Sequence, residues 1–117
     1  MRAVVLDARN RVLLVKFVDA VGHVWWATPG GGIGEGESPE QTLRRELDEE
    51  LGLNNFELGA EIWTREHTFA WMGRILRQRE DIYSVRVERH DPAPTIDLRA
   101  EGVHELRWWT LPELEAA

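Results

Sequence analysis

Three glutamates near the middle of the chain, Glu46, Glu49 and Glu50, have a spacing that could support chemistry. On a helix, residues three and four positions apart share one face, so these carboxylates would lie a few ångströms from one another. Like charges at that spacing repel one another and weaken the helix. Clustered carboxylate oxygens are the ligands that a hard divalent cation requires, and we expect Mg²⁺ as the cofactor, with Mn²⁺ as the alternative.

Acidic residues outnumber basic residues in the segment around these glutamates. Residues 35–50 contain seven acidic residues and two arginines. A solvated acidic helix face is the alternative explanation for such a run. A solvated face would normally carry interleaved lysines, whereas the whole chain has a single lysine, Lys16. The pattern therefore favours a cation site.

A run of glycines, Gly30, Gly31 and Gly32, precedes the acidic segment. Glycine lets the backbone come close to a ligand and lets its carbonyl or amide groups turn toward that ligand. A plain turn is the alternative explanation for a glycine run taken by itself. Because this run leads into a helix with clustered carboxylates, the sequence predicts a binding site.

Residues 38–51 predict the helix that must hold the glutamates. Ser38 can cap its start, Pro39 suits the first helical position, and Gln41 can complete a capping box. Gly52 supplies a left-handed end. Leucines recur every four residues and predict the face that packs on the core. These leucines are Leu43, Leu47 and Leu51.

Most of the remaining chain predicts strands. The apolar runs 3–6 and 12–18 flank turn-forming residues and predict a hairpin, and residues 25–27 predict a third short strand. Further elements are predicted as two longer strands at 56–69 and 74–88, a loop at 90–98, a last strand at 106–110 and a helix at 112–116. Strands on both sides of one clearly predicted helix indicate a fold of the mixed α and β class.

Length and composition limit the function. A chain of 117 residues predicts a single domain spanning residues 1–117, and its net charge of −7 argues against a nucleic-acid polymer as partner. No stretch is apolar enough to predict a membrane span, and the strand at the start argues against a signal peptide. The absence of cysteine excludes disulfides and thiolate metal sites, and it fits a cytoplasmic location.

The spacing of the glycine, the glutamates and their neighbours resembles a known motif. Gly31, five residues, Glu37, seven residues and then Arg45 through Leu53 resemble the Nudix box of MutT-like hydrolases at all nine fixed positions. The resemblance implies an α+β fold, in which an α/β/α sandwich is built around a mixed β-sheet. It also implies a metal-dependent enzyme that hydrolyses a pyrophosphate bond in a nucleoside diphosphate linked to another group.

The resemblance also implies roles for single residues. Glu49 and Glu50 look like metal ligands, Glu46 like a ligand or the general base, and the Gly31 carbonyl like a further ligand. Bound cations would let so acidic a site receive an anionic substrate.

Two further box residues resemble structural parts of the motif. Arg45 looks like the residue that orients the glutamates for catalysis. Glu37 looks like the residue that braces the glycine loop against the helix, and Gly52 ends that helix.

The sequence does not decide which residue is the general base. Family members use either the box glutamate that matches Glu46 or a glutamate in a late loop. Glu101 lies where the resemblance places that loop residue, and Glu80 is a rival on a strand that could pass the site. Surface charge is the alternative explanation for each loop glutamate.

The substrate is only partly indicated. Trp71 is a candidate for stacking on a base. Arg74 and Arg77 are candidates for phosphate recognition, although they could also pair across strands with Glu66 or Glu80. The segment 66–71 lacks the proline of family subgroups that act on ADP-ribose and the tyrosine of those that act on dinucleoside polyphosphates. A nucleoside triphosphate or a small nucleotide sugar therefore remains as the candidate substrate.

Two other classes of function compete with the enzyme hypothesis. One is a non-catalytic Nudix-like domain that senses a nucleotide or binds a partner, and the other is a structural acidic domain. The intact set of Glu46, Glu49 and Glu50 argues against the first, because binding alone does not need three clustered carboxylates. The scarcity of lysine around this cluster argues against the second. A homodimer is an expectation from the family alone.

Overall fold

The computed structural model describes residues 1–116, without the side chains of residues 67, 69, 71 and 101. The elements in chain order are β1 (Arg2–Leu6), β2 (Val12–Val18), β3 (Val24–Ala27), α1 (Pro39–Leu51), β4 (Glu57–Trp71), β5 (Arg74–Arg86), a 3-10 helix (Leu98–Glu101), β6 (Val103–Trp109) and α2 (Leu111–Ala116). The predicted elements are present. The last strand begins at Val103 instead of residue 106, and the predicted loop at 90–98 runs into the 3-10 helix.

The strands form one mixed sheet in the order β3-β2-β1-β5-β4, with β6 also paired to β2. β1 runs parallel to β5, and the other pairs are antiparallel. β6 pairs with β2 from Val12 to Phe17, so β1 and β3 must share the opposite edge of β2. β1 meets that edge at Val12 and β3 meets it from Val15 onward. The sheet therefore branches at β2, which pairs with β6 along one edge and with β1 and β3 along the other.

The helix α1 begins and ends where its capping residues predict. The Ser38 hydroxyl accepts a hydrogen bond from the Gln41 amide at 3.2 Å, and the Ser38 amide donates to Gln41 Oε1 at 2.8 Å. Gly52 has the left-handed φ of 64° and donates to the Asp48 carbonyl at 2.9 Å. The leucine stripe is buried, with exposures of 1%, 0% and 0% for Leu43, Leu47 and Leu51. Those leucines pack with Ala3, Val5, Leu13 and Val85 of the sheet, as predicted.

The helix α2 lies on the other face of the sheet. Trp108 of β6 packs against the core that α1 covers. Its neighbour Arg107 therefore points to the opposite face, because side chains alternate along a strand. Glu113 of α2 forms an ion pair with Arg107 there. The fold is thus the predicted α+β arrangement of helix, sheet and helix. No described helix is both long enough and apolar enough to cross a membrane.

Strands β4 and β5 continue past the rest of the sheet as a two-stranded ribbon. β5 pairs with β1 only from Ile82 to Arg86, whereas its pairing with β4 extends out to Arg74. Met72 and Gly73 form the turn at the tip, with positive φ angles of 49° and 76°. Two residues of positive φ match the twist of a tight hairpin.

The loop after β5 closes over the C-terminal end of α1. The Ala93 amide donates to the Leu51 carbonyl at 2.8 Å, and the Thr95 amide donates to the Glu49 carbonyl at 3.0 Å. These bonds satisfy carbonyl groups that lack partners at a helix end. A Cβ atom on Gly52 would lie 2.1 Å from the Ala93 carbonyl oxygen. Gly52 is therefore needed for its φ angle and also for the space it leaves.

We expect Gly52→Ala to destabilise the protein by at least about 2 kcal/mol, since the new methyl group adds a clash with Ala93 to the cost of a left-handed φ. The control is Gly22→Ala, where φ is +88° but no atom lies within 4 Å of the added Cβ. It should cost about 1 kcal/mol. Urea unfolding of both variants provides the measurement, and equal losses would show that the loop yields to the methyl group.

Candidate active site

The glycine loop is held against the start of β1. Gly30 forms an antiparallel bridge with Arg2. The Gly31 amide donates to the Met1 carbonyl at 2.9 Å, and the Gly31 carbonyl accepts from the Met1 nitrogen at 2.8 Å. These bonds fix the orientation of the peptide group whose carbonyl the sequence predicts to be a ligand.

Gly31 also lies directly against the carboxylate of Glu46. A Cβ atom at this position would be 2.5 Å from Glu46 Oε1 and 2.9 Å from Oε2. Any side chain at Gly31 would therefore displace the carboxylate. The absence of that side chain lets Glu46, with a side chain 15% exposed, lie beside the loop backbone.

Arg45 links the carboxylates of three glutamates. Its Nε donates to both oxygens of Glu37, at 3.1 and 2.9 Å. Its Nη1 lies 3.1 Å from Glu46 Oε1 and 3.4 Å from Glu49 Oε2. The hydrogen bonds with Glu37 are the main cause of a raised pKa of Arg45, and they also lower the pKa of the Glu37 carboxyl. Both groups are charged at neutral pH, and Arg45 offsets repulsion between Glu46 and Glu49.

Glu37 connects the loop to the helix through three partners. Besides Arg45, its Oε1 accepts from the Gly34 amide at 3.0 Å and from the Thr42 hydroxyl at 3.2 Å. Thr42 is a fully buried residue of α1. These contacts are the ones that a bracing role for Glu37 requires.

The buried carboxylate of Glu50 also lies against the glycine loop. Glu50 is 6% exposed, and its Oε2 accepts from the Gly30 amide at 3.1 Å. Over the part of the chain that the structure describes, no three His, Asp or Glu side chains converge closely enough to hold a metal ion. Glu46 and Glu50 thus both reach the glycine loop, but the three carboxylates do not meet at one point.

The chemistry of the donor atoms fits a hard divalent cation. The carboxylates of Glu46, Glu49 and Glu50 and the carbonyl of Gly31 offer only oxygen ligands, which Mg²⁺ and Mn²⁺ prefer. The side chain of Glu49 is 32% exposed, so solvent reaches it. In the arrangement described, Arg45 provides the positive charge beside Glu46 and Glu49.

An open cleft of about 700 Å³ adjoins this loop. Trp25 and Trp26 of β3 line one side, and Gln78 and Glu80 of β5 line the other, with Arg2 also contributing. A smaller cavity of about 210 Å³ is lined by Gly31 and Gly32 together with Arg2, Gln78 and Glu80. Because Arg2, Gln78 and Glu80 line both spaces, the cleft lies next to the cavity at the glycine loop.

Sequence reasoning missed several of these cleft residues. It assigned no role to Arg2 or Gln78, and it read Trp25 and Trp26 as strand residues. Trp25 is 47% exposed, and the half-buried Trp26 packs edge-on against Trp109 at 5.1 Å between ring centres. No local pattern could have revealed them, because the cleft exists only when β3 and β5 are brought together.

The other predicted site residues lie in different places. Glu80 lines both spaces, and its Oε2 accepts from Arg65 at 2.9 Å. Arg74 and Arg77 are exposed near the tip of the ribbon, in register with residues 71 and 68. Neither lines the cleft or the cavity at the glycine loop. The side chains of Glu101 and Trp71 lie outside what the structure describes, so their roles as base and stacking residue stay predictions.

Comparison with known proteins agrees with this fold. The sequence matches the NUDIX domain over residues 1–117. The chain therefore belongs to the NUDIX family, and it is a Nudix-type pyrophosphohydrolase.

Individual relatives cover nearly the whole chain. A protein of Sphingopyxis alaskensis named RNA pyrophosphohydrolase is 31% identical over an alignment 116 positions long, which covers 91% of this chain and 73% of that protein. The E. coli dihydroneopterin triphosphate pyrophosphohydrolase superposes with a TM-score of 0.74 at 18% identity, over 98% of this chain and 82% of that one. The NUDIX domain of Shewanella oneidensis NrtR, solved with ADP ribose, has a TM-score of 0.70 at 24% identity, over 98% and 73% of the two chains. These two structures show the same fold.

Replacing Arg45 by glutamine should lower the melting temperature by several degrees, because Glu37 loses its main partner and Glu46 and Glu49 repel without a shared cation. The matched control is Arg44→Gln, which removes the same charge from the next residue, where the partner is the exposed Glu40. The control should change the melting temperature far less. Thermal unfolding in buffer without divalent cations gives the comparison, and equal shifts would contradict a central role for Arg45.

Proposed function

We propose that this enzyme catalyses the metal-dependent hydrolysis of a pyrophosphate bond in a nucleoside triphosphate or a related nucleotide derivative. The observation that carries the proposal is the packing of the Glu46 carboxylate against Gly31, beside a loop that leads to an aromatic cleft. A fixed carboxylate beside such a loop suits phosphoryl chemistry, in which positioned groups and metal ions do most of the catalytic work.

The proposed ligands of the metal are the carboxylates of Glu46, Glu49 and Glu50 and the carbonyl of Gly31. A bound Mg²⁺ or Mn²⁺ would neutralise phosphate charge and lower the pKa of a coordinated water. Arg45 is proposed to orient Glu46 and Glu49 through its Nη1, and Glu37 to keep the loop against α1.

In the proposed reaction a water oxygen forms a bond to one phosphorus atom while the bridging P–O bond on that phosphorus breaks. The bridging oxygen leaves with the departing phosphate group. Glu46 is proposed to accept the proton of the water, because its carboxylate lies against Gly31 and its side chain remains partly exposed. Glu80 and Glu101 are the alternative bases.

The cleft supports a nucleotide as the substrate. Trp25 and Trp26 offer aromatic surface for a base, and Arg2 lies where the cleft approaches the loop and offers a guanidinium group to a phosphate. The name of the Sphingopyxis alaskensis relative also supports hydrolysis of a pyrophosphate bond at a nucleotide. Arg2 and Gln78 are therefore proposed as substrate contacts, in addition to the candidates from the sequence.

We expect Glu49→Gln and Glu50→Gln each to lower turnover by more than roughly tenfold while the protein stays folded. Each change keeps the size of the side chain and removes one ligand charge. For Glu50, the amide oxygen of glutamine can still accept from Gly30. Glu40→Gln is the control, since Glu40 is an exposed residue of the same helix that pairs with Arg44. Steady-state release of phosphate or pyrophosphate from a panel of nucleotides at saturating Mg²⁺ provides the readout.

Near wild-type turnover in either variant would show that the assigned ligand is wrong. If the wild-type protein released no phosphate from any nucleotide with or without Mg²⁺, the non-catalytic nucleotide-binding alternative would replace the proposal.

Binding of Mg²⁺ should raise the melting temperature. A cation that binds the folded site but not the unfolded chain stabilises the fold by about 2.7 kcal/mol at a hundredfold excess over its dissociation constant. For a domain of this size the shift is on the order of 10 °C. Calorimetry against millimolar Mg²⁺ measures it.

Sodium at matched ionic strength should give a smaller shift, because it screens charge without coordinating. Joint replacement of Glu46, Glu49 and Glu50 by glutamine should remove the part specific to Mg²⁺. An unchanged melting curve for the native protein would contradict a metal site formed in the absence of substrate.

A further inference from the structure

The hydroxyl group of Thr42 is buried in the first half of α1, where Thr42 is 0% exposed. The amide of Thr42 belongs to the helix and donates to the Ser38 carbonyl at 3.0 Å. The hydroxyl donates to Glu37 Oε1 at 3.2 Å, and among the side chains that the structure describes it has no second hydrogen bond. Burying a hydroxyl group is unfavourable, whereas valine would fill nearly the same space without a polar group. The packing of α1 therefore does not require this hydroxyl, and what it provides is the contact with Glu37.

Thr42 differs from the other partners of Glu37 in how it reaches the carboxylate. Gly34 lies in the loop before α1 and donates from its backbone at 3.0 Å. Arg45 reaches Glu37 Oε1 from the end of a long side chain, with Nε at 3.1 Å and Nη2 at 3.0 Å. Threonine is short, and its branched Cβ restricts rotation. Thr42 therefore ties Glu37 to the backbone of α1 through a stiff side chain.

The orientation of Glu37 controls where the Arg45 guanidinium points. Thr42 and Arg45 are three residues apart, so they are neighbours on one face of α1. While Nε and Nη2 of Arg45 bind Glu37, Nη1 lies 3.1 Å from Glu46 Oε1 and 3.4 Å from Glu49 Oε2. Since the guanidinium group is planar and rigid, a rotation of the Glu37 carboxylate would rotate Nη1 as well. A fixed Glu37 thus keeps Nη1 beside both carboxylates.

We propose that Thr42 is a positioning residue for hydrolysis, whose hydroxyl holds Glu37 in the orientation from which Arg45 directs Nη1 to Glu46 and Glu49. Its effect on turnover rests on the proposed function, whereas its effect on Arg45 rests on the contacts alone. Thr42 lines neither the cleft nor the cavity at the glycine loop. It therefore acts through Glu37 and Arg45 and does not touch the substrate.

The test begins with Thr42→Val, which keeps the shape of the side chain and removes the hydroxyl. It should lower kcat for the best nucleotide substrate by about tenfold, the lower end of the effect of losing a residue that orients a metal ligand. KM for the nucleotide should not change, because Thr42 lies outside the cleft. The melting temperature should stay within about 3 °C of wild type, since Glu37 keeps its donors from Gly34 and Arg45.

Thr42→Ser makes the opposite change, because it keeps the hydroxyl and removes the buried methyl group. It should recover most of the lost turnover, while its melting temperature falls by about 5 °C. Activity and stability would then change in opposite directions in the two variants. A residue that only packs the core could not produce that pattern.

A second measurement needs neither metal nor substrate. Hydrogen exchange of the Arg45 Nε–H group, followed by NMR in the metal-free protein, reports how firmly Arg45 is held, because a bonded hydrogen exchanges only when its bond opens. In Thr42→Val this exchange should become several times faster. The Nε–H group of Arg44 is the internal control, since it pairs with the exposed Glu40 at 3.3 Å and should exchange at the same rate in both proteins.

The matched control variant is Thr110→Val. The Thr110 hydroxyl accepts from the Glu113 amide at 3.3 Å at the start of α2, on the other face of the sheet from α1. Loss of this hydrogen bond at a helix start should lower the melting temperature by about 5 °C. Turnover and the exchange of Arg45 Nε–H should remain those of wild type.

The outcomes separate this inference from the proposed function. If Thr42→Val kept wild-type kcat and wild-type exchange at Arg45, the inference would be wrong and the proposed hydrolysis would stand. Equal losses of kcat in the valine and serine variants would show that the shape of Thr42 matters and its hydroxyl does not, which also overturns the inference. If the wild-type protein hydrolysed no nucleotide, the proposed function would fail, and with it the role of Thr42 in turnover. The exchange measurement would then still decide whether Thr42 positions Arg45.

Discussion

The contacts of the Arg45 guanidinium with Glu37, Glu46 and Glu49 are the interaction on which the rest of the site depends. α1 presents its carboxylates toward the glycine loop, and like charges at helical spacing weaken a helix. A planar guanidinium with several donors can pair with more than one carboxylate at a time. Because Glu37 also accepts from the Gly34 amide, the same contacts fasten the loop to the helix. One set of ion pairs thus stabilises the helix and positions the glutamates.

The fold could be predicted from the sequence wherever the determinants are local. Both ends of α1 follow from Ser38, Pro39 and Gly52, each of which acts within one helical turn. Within the predicted strand 74–88, Tyr83 and Val85 alternate with polar residues, and both lie in β5. The parallel pairing of β1 with β5, and the pairing of β2 with β6, could not be predicted. These pairings join residues about eighty and ninety positions apart, and the hydrophobic pattern of a strand does not specify its neighbour.

In the candidate site, too, the features set by local sequence could be predicted and those set by tertiary contacts could not. Helical periodicity places Glu46, Glu49 and Glu50 near one another, and the structure brings Glu46 and Glu50 to the glycine loop. The hydrogen bond of Glu50 to Gly30 could not be predicted, because it depends on how the loop meets β1. The same holds for Arg2, which contributes to the cleft only through the packing of β1 beside β5. Periodicity predicts which side chains share a face, and tertiary contacts decide which atoms each side chain reaches.

The loop after β5 has the composition of a mobile surface segment, with two prolines and mostly exposed residues between positions 90 and 98. The hydrogen bonds of Ala93 and Thr95 to the end of α1 change that expectation. An amide that donates to a helix carbonyl exchanges its hydrogen with solvent only when that bond opens, and here the bond is shared with the last helical turn. Protection of the Ala93 and Thr95 amides from exchange would therefore report how firmly the loop is held to the C-terminal turn of α1. Opening of the loop would remove the Ala93 and Thr95 amides from the carbonyls of Leu51 and Glu49.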